Sequence, residues 1–226
     1  MSDADELLPA WRMEFFAPVA SFRDPLFPGL CRGLPVPPPS TVRGLLSAAT
    51  GRDGEPGPFG MAAWSEGGGV DAETYHPIAA NGTNPAVAGR VRAVKGGTTV
   101  RDRAFLTGVH LTVWLPDADG ERIQRSLCRP VYPLRLGRSQ DIVHPISRRL
   151  TTLRTCRAAR VGHALAPPHG HDAPMASAFR LAASVSSDRL HTVWRDYLWC
   201  DVFAGEYPVR DAYRDDEGQA VWLLTG

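Results

Sequence analysis

Lysine is almost missing from this chain of 226 residues: Lys95 stands alone among 25 basic side chains, and the others are arginine. The bias of a GC-rich genome, visible also in the abundant Ala, Gly and Pro, accounts for arginine over lysine. It does not account for where the arginines fall. Cysteine is scarce too. Cys31, Cys128, Cys156 and Cys200 are scattered, with no Cys-x-x-Cys pair. That argues against a zinc site or a disulfide framework and for reduced thiols in a cytoplasmic protein. No apolar run approaches the roughly 20 residues that span a bilayer, so no membrane is expected. Residues 1–9 are acidic and lack the basic start of a secretory signal. There is no Gly-x-Ser-x-Gly elbow, and Gly96-Gly97-Thr98-Thr99 lacks the spacing and the lysine of a phosphate-binding loop. His169 and His171 lie in a Pro/Gly loop without further ligands nearby. No metal and no cofactor are expected.

What is present is ordinary in amount and unusual in distribution. Hydrophobic residues make up 43% and charged residues 22%, as in a soluble globular protein. No internal repeat and no second boundary interrupt the chain, so residues 1–226 read as one domain. The net charge is +1. Residues 90–160 nevertheless hold 15 basic and 5 acidic side chains, while residues 1–89 carry a net −5 and residues 161–226 a net −4. A basic block between acidic flanks suggests one surface that faces a polyanion.

The pattern along the chain is α+β. A first strand is predicted at about 11–18. Residues 35–51 then combine Pro37-Pro38-Pro39 with Val42, Leu45, Leu46 and Ala49 at helical spacing and a closing Gly51. This predicts a helix over about 40–50, with Ser40 as its N-cap. Residues 51–69 read as a glycine-rich connection, in which 59–64 form a short helix or strand. Residues 74–104 read as a projecting basic hairpin turning at Gly96-Gly97. Residues 105–115 alternate as a strand, 121–127 as a short strand or helix, 129–137 as a proline-punctuated strand, and 141–160 as strand and loop. A linker over 163–174, helical character over 188–203 and a hairpin over 207–224 complete the reading.

Arg43 and Gly44 occupy the first turn of the predicted helix, where a cation opposes the helix dipole. Either this arginine is incidental on a capped surface helix, or it serves an anion together with the free amides of the helix start. Arg90, Arg92, Lys95, Arg101 and Arg103 alternate, so several share a hairpin face. Only Asp102 stands nearby to pair with them. Leu136-Gly137-Arg138-Ser139 again joins glycine, guanidinium and hydroxyl, a set suited to phosphate and to the planes of unstacked bases. For acid–base catalysis, His76, Tyr75 and Lys95 can meet across the hairpin, though nothing in the spacing requires it.

These motifs resemble a family. Pro37-Pro38-Pro39-Ser40-Thr41-Val42-Arg43-Gly44-Leu45-Leu46 is similar to the P-P-S-x-x-R-G-L/I-L helix start of the fifth Cas protein family. These are the RAMP-type subunits of type I CRISPR surveillance (Cascade) complexes. Phe105-Leu106-Thr107-Gly108-Val109 looks like the strand that follows that family's thumb. Tyr132-Pro133-Leu134-Arg135-Leu136-Gly137-Arg138-Ser139 resembles its Y-x-L-G-R-S segment. The likeness covers roughly residues 11–145. It implies a ferredoxin-like (RRM-related, RAMP) core with a β-hairpin thumb inserted at about 74–104. It also implies an antiviral-defence role in the cytoplasm, as a subunit that caps the 5′ handle of CRISPR RNA (crRNA). The partners implied are the crRNA handle, the large and backbone subunits and, through the complex, target DNA near its PAM-proximal end. Ser40, Arg43 and Gly44, the basic residues 90–103, and Arg138 with Ser139 carry the RNA-binding role by this resemblance. One branch of the family cleaves repeat RNA with a tyrosine on this helix and a later lysine–histidine pair. Here Thr50 stands at the helix position and Gly96 follows Lys95, so a non-catalytic RNA-binding subunit is expected and a metal-independent endoribonuclease is the alternative.

Overall fold

Alternation in the first strand organises the whole molecule. In β1 (Leu7–Ala20), Met13, Phe15 and Ala17 are fully buried while Arg12, Glu14 and Phe16 between them turn to the other face. The computed structural model describes residues 6–24, 26–27, 32–55, 57–75, 78–79, 92–93, 99–202 and 205–226. After β1 come α1 (Pro39–Thr50), β2 (Gly60–Tyr75), the two-residue strands β3 (Ile78–Ala79) and β4 (Arg92–Ala93), β5 (Thr99–Pro116) and α2 (Asp117–Ser126). Then follow β6 (His144–Arg160), β7 (Ala176–Val185), β8 (Thr192–Cys200), β9 (Glu206–Arg214) and β10 (Ala220–Val221). The order is α+β, as the sequence predicts.

Six strands form one antiparallel sheet in the order β10-β9-β6-β1-β5-β2. Register stacks Met13 on Val113, Phe15 on Leu111 and Ala17 on Val109, with Met61 and Ala63 of β2 beyond. These join Val42, Leu45, Leu46 and Ala49 of α1 and Ile123 of α2 in one core. Each fully buried large side chain contributes about 1.5–3 kcal/mol relative to exposure. A separate two-stranded sheet, β7-β8, packs on α1. The opposite face of the main sheet has its own small cluster of Ala10, Trp114, Leu153 and Val221.

Several expectations are corrected. The α1 helix starts one residue early. Pro38 is its N-cap, Pro39 is the first helical residue, and the Pro38 carbonyl takes the Thr41 and Val42 amides, so Ser40 caps nothing. Proline at the first position lacks an N–H that would be orphaned there anyway, which favours this start. The C-terminus holds as predicted. Gly51 has φ +72, bonds the Ser47 carbonyl at 2.7 Å, and a Cβ there would meet Val131 at 3.0 Å. Residues 65–69 are strand, not connection, and extend the expected short strand at 59–64 into the hairpin arm, because β2 pairs with β5 along its length. Residues 192–200 are strand, not helix. Val193, Trp194, Tyr197 and Trp199 suit a pleated surface, and pairing with β7 supplies one. Residues 129–137 are loop, since Pro130 and Pro133 remove ladder donors. The turn at 216–218 between β9 and β10 is where the sequence predicts it.

Candidate nucleic-acid interface

An open groove of about 1360 Å³ runs along the exposed side of α1. Ser40, Arg43, Gly44 and Ser47 form one wall, with Tyr132 and Arg135 from the loop before β6 and Arg189 from the β7–β8 turn facing them. The backbone holds Tyr132 in place: its amide donates to the Ala48 carbonyl at 2.9 Å, and that of Val131 to Ala49 at 3.1 Å. The Tyr132 ring is mostly exposed. A Cβ on Gly44 would meet nothing, so the glycine leaves the helix surface open to a neighbour from outside.

Arg43 opposes the helix dipole for a reason internal to the fold. Its Nε donates to the Ala183 carbonyl at 3.2 Å, Nη1 to Gly57 at 3.2 Å and Nη2 to Leu224 at 3.3 Å. Its guanidinium also lies 4.9 Å from the centre of the Phe59 ring. One side chain thus ties α1 to β7, to the loop before β2 and to the last residues. Burial lowers its pKa, with Tyr197 acting in the opposite sense. The group remains cationic all the same.

Arg103 and Arg138 meet elsewhere, at the foot of the β2–β5 ladder. Asp141, buried, accepts from the Ser21 amide at 3.0 Å, the Arg138 amide at 2.8 Å and Arg138 Nε at 3.1 Å. Arg103 Nε donates to Ser21 Oγ at 2.8 Å, which in turn donates to the Ala104 carbonyl. Glu73 stands 3.8 Å from Arg103 and 4.0 Å from Arg138. Gly137 makes the approach possible: φ is +112, and a Cβ would fall 2.7 Å from the Ser21 carbonyl. The bond to Asp141, outweighing desolvation, pushes the Arg138 guanidinium pKa up. Arg101 is exposed and lines a recess with Arg23, Arg32 and Arg103. The expectation that only Asp102 can pair with the basic run is corrected by the ladder, which sets Asp71 beside Arg103 and Glu73 beside Arg101.

The site residues therefore fall in two groups: Ser40, Arg43 and Gly44 in the groove, and Arg101, Arg103 and Arg138 around Ser21. The segment from Tyr132 to Asp141 connects them. Ser139 is exposed beside Arg138. Arg90 and Lys95 lie outside the described residues, as do His76 and most of the hairpin; of Arg92 only the backbone, in β4, is described. Sequence reasoning missed Tyr132, Arg52, Arg135 and Arg189 as groove residues. The three arginines are exposed and make no ion pair among the described residues. Arg135 lies within an already noted motif and was legible there, whereas Arg189 was hidden in an acidic third of the chain.

The other face of the sheet carries a row of rings. Trp64 stacks on His110 with centroids 4.1 Å apart, and Phe16 and His163 flank the pair at 5.1 and 5.9 Å. His110 Nε2 is 2.9 Å from Glu66 Oε1. Nearby Arg12 is held by Glu14 at 2.7 Å and Glu217 at 3.0 Å, so this face is close to charge-balanced. Among the described residues no group of three or more His, Cys, Asp or Glu is placed to hold a metal ion, and no helix is long and apolar enough to cross a membrane.

The fold of this antiparallel α+β sheet is shared with solved CRISPR proteins. A solved structure described as "CRISPR RNA-guided surveillance complex" superposes with a TM-score of 0.53 at 16% identity, covering 93% of each chain. A CRISPR protein from Archaeoglobus fulgidus superposes with a TM-score of 0.52 at 9% identity, over 97% of this chain and 100% of that one. At such identities the likeness is one of fold. Residues 12–219 match the family described as "CRISPR-associated protein (Cas_Cas5)", and the chain belongs to that family. No curated protein sequence matches it.

Proposed function

We propose that this protein is a non-catalytic subunit of a type I CRISPR surveillance (Cascade) complex, and that it binds and caps the 5′ handle of crRNA. It contacts the backbone and large subunits and thereby supports RNA-guided targeting of DNA near its PAM-proximal end. The observation that carries the reading is the groove beside α1 in a chain of this family. Arg43, Arg52, Arg135 and Arg189 give it an excess of positive charge, hydroxyls line it, and an exposed tyrosine ring is fixed at its rim. Guanidinium forks suit phosphate, and an aromatic plane suits an unstacked base. The order β1-α1-β2-β5-α2-β6, with strands side by side as β6-β1-β5-β2, supports a ferredoxin-like core of the RAMP type. The β2–β5 ladder, continuing to Tyr75 opposite Thr99, supports a thumb inserted over about 74–104.

Arg43 and Arg138 are also built into the fold, so the decisive variant is Arg135→Glu with Arg189→Glu. With labelled RNA bearing the repeat-derived handle, its affinity should fall at least tenfold. The log–log salt slope should flatten by about 1.4, about 0.7 for each lost phosphate contact on a single strand. Unchanged affinity and slope would remove the groove from the RNA path. The same RNA incubated with pure protein in EDTA should stay intact. Thr50, whose hydroxyl lies 3.4 Å from the Ser47 carbonyl, supports that outcome, and sequence-specific cleavage would establish the endoribonuclease alternative.

A further inference from the structure

The helices cover only part of their side of the sheet. α2 ends beside β6, where Arg148 Nη1 donates to the Gln124 carbonyl at 3.3 Å. Beyond it, β6 presents Arg148, Leu150, Thr152 and Arg154 to solvent, while Thr151 and Leu153 are buried on the other face. Register sets Leu7 beside Arg154 and Pro9 beside Thr152 on β1, and Arg214 of β9 directly opposite Arg154. Leu7 is 53% and Leu150 57% exposed.

Two features of this strip are costly in an isolated protein. Like charges directly opposite across strands repel. Neither the Arg154 nor the Arg214 guanidinium has a hydrogen bond or ion pair among the described residues. Glu6, next to Leu7, pairs its backbone with Thr155 and acts on Tyr213, whose phenol pKa is raised by burial and then by that charge, and Asp216 beyond Arg214 is held by Arg149. Two leucines on the same face, each more than half exposed, add apolar surface.

We infer that this strip docks another protein subunit, through a segment of it that carries carboxylates together with apolar side chains. This rests on the reading of the chain as a subunit of a complex. Carboxylates bridging Arg154 and Arg214 relieve their repulsion with bidentate bonds, while the partner's apolar side chains dry Leu7 and Leu150. A phosphodiester strand satisfies the arginines and leaves both leucines wet. A second copy of this chain offers the acidic turn 215–217, but that turn is already held by Arg12 and Arg149. From Arg148 to Arg154 the strip is about 20 Å long, at about 3.3 Å per residue. That matches a six-residue extended segment or nearly four turns of helix.

The test places a photo-crosslinking benzoylphenylalanine at Thr152 in the full chain, within the complex purified from co-expressed neighbouring genes. The expected product is a cross-link to a peptide of a different protein subunit with at least two Asp or Glu among apolar residues. A cross-link to nucleic acid, to a second copy or to nothing overturns the inference. In parallel, Arg154→Glu turns the like-charged pair into an opposite-charged one. The isolated protein should melt no lower than wild type while the complex dissociates at least tenfold faster, and unchanged dissociation also overturns it. RNA content of the purified complex is read separately. Loss of RNA or of the complex in the unsubstituted protein counts against the subunit reading, whereas an RNA-loaded complex left unlinked at Thr152 counts against the docking strip alone.

Discussion

Single residues here often bind the fold together where the sequence offers them to a ligand. Asp141 shows this most clearly. Its carboxylate, 2% exposed, gathers two backbone amides and the Arg138 guanidinium, itself 11% exposed. Asp141→Ala strands a nearly buried cation and two donors, and should lower unfolding free energy by about 3–5 kcal/mol. Asp141→Asn keeps one acceptor oxygen and should lose about 1.5–3 kcal/mol. Urea titrations of the pure protein, compared at equal m-value, check both. Arg43 was legible as an arginine in need of a reason. The reason, three carbonyls from distant segments, was not, because backbone acceptors leave no mark in a sequence.

At the scale of elements, the segment over 161–173 closes the molecule. It lies against β2 through the amides of Ala63 and Leu165, pairs with β8 through Ala166, and reaches β9 through His171. Two imidazoles are buried in it. His163 Nε2 is 3.2 Å from the Asp201 carbonyl, and His171 Nδ1 accepts the Ala173 amide at 3.2 Å. Burial lowers both pKa values from 6.5. The unfolded chain therefore takes up protons before the folded one does. Their contribution is complete above pH 6.5 and is lost as pH falls below it. Melting temperature should drop between pH 7.5 and 5.5, and His163→Gln with His171→Gln should remove most of that drop. Asp215 has the opposite sign: burial raises its pKa, against the amides it accepts. Asp172, Asp188 and Asp216 are lowered from 3.8, chiefly by hydrogen bonds from Arg210, Ser186 and Arg149 in turn. These three lowered carboxylates titrate in a range more acid than the window from 7.5 to 5.5, and the double imidazole variant reads the histidine share of the drop directly.

For the whole molecule, the β2–β5 ladder ends at Tyr75 and Thr99, where the proposed thumb excursion begins. Tyr75 pairs with Thr99, so Asn-Gly in place of residues 76–98 makes a two-residue hairpin turn of the favoured type. The melting temperature should stay within a few degrees, because the β2–β5 ladder is already closed by the pairing of Tyr75 with Thr99. If residues 90–103 serve RNA, handle affinity should fall at the same time. A large loss of stability in calorimetry would mean instead that the excursion is part of the core.

Local chemistry alone determined α1 to within a residue, its glycine stop, the alternating strand over 105–115 and the last hairpin, because proline, glycine and apolar spacing act within a few neighbours. It also marked residues 37–46 and 132–139, which carried the family. Tertiary structure decided the sheet order, the strand over 192–200, the split of the arginines between groove and ladder foot, and the facing of Arg154 by Arg214. Those depend on which strands lie side by side. A strand's sequence records which of its faces is apolar, but not which partner supplies the other half of each pair.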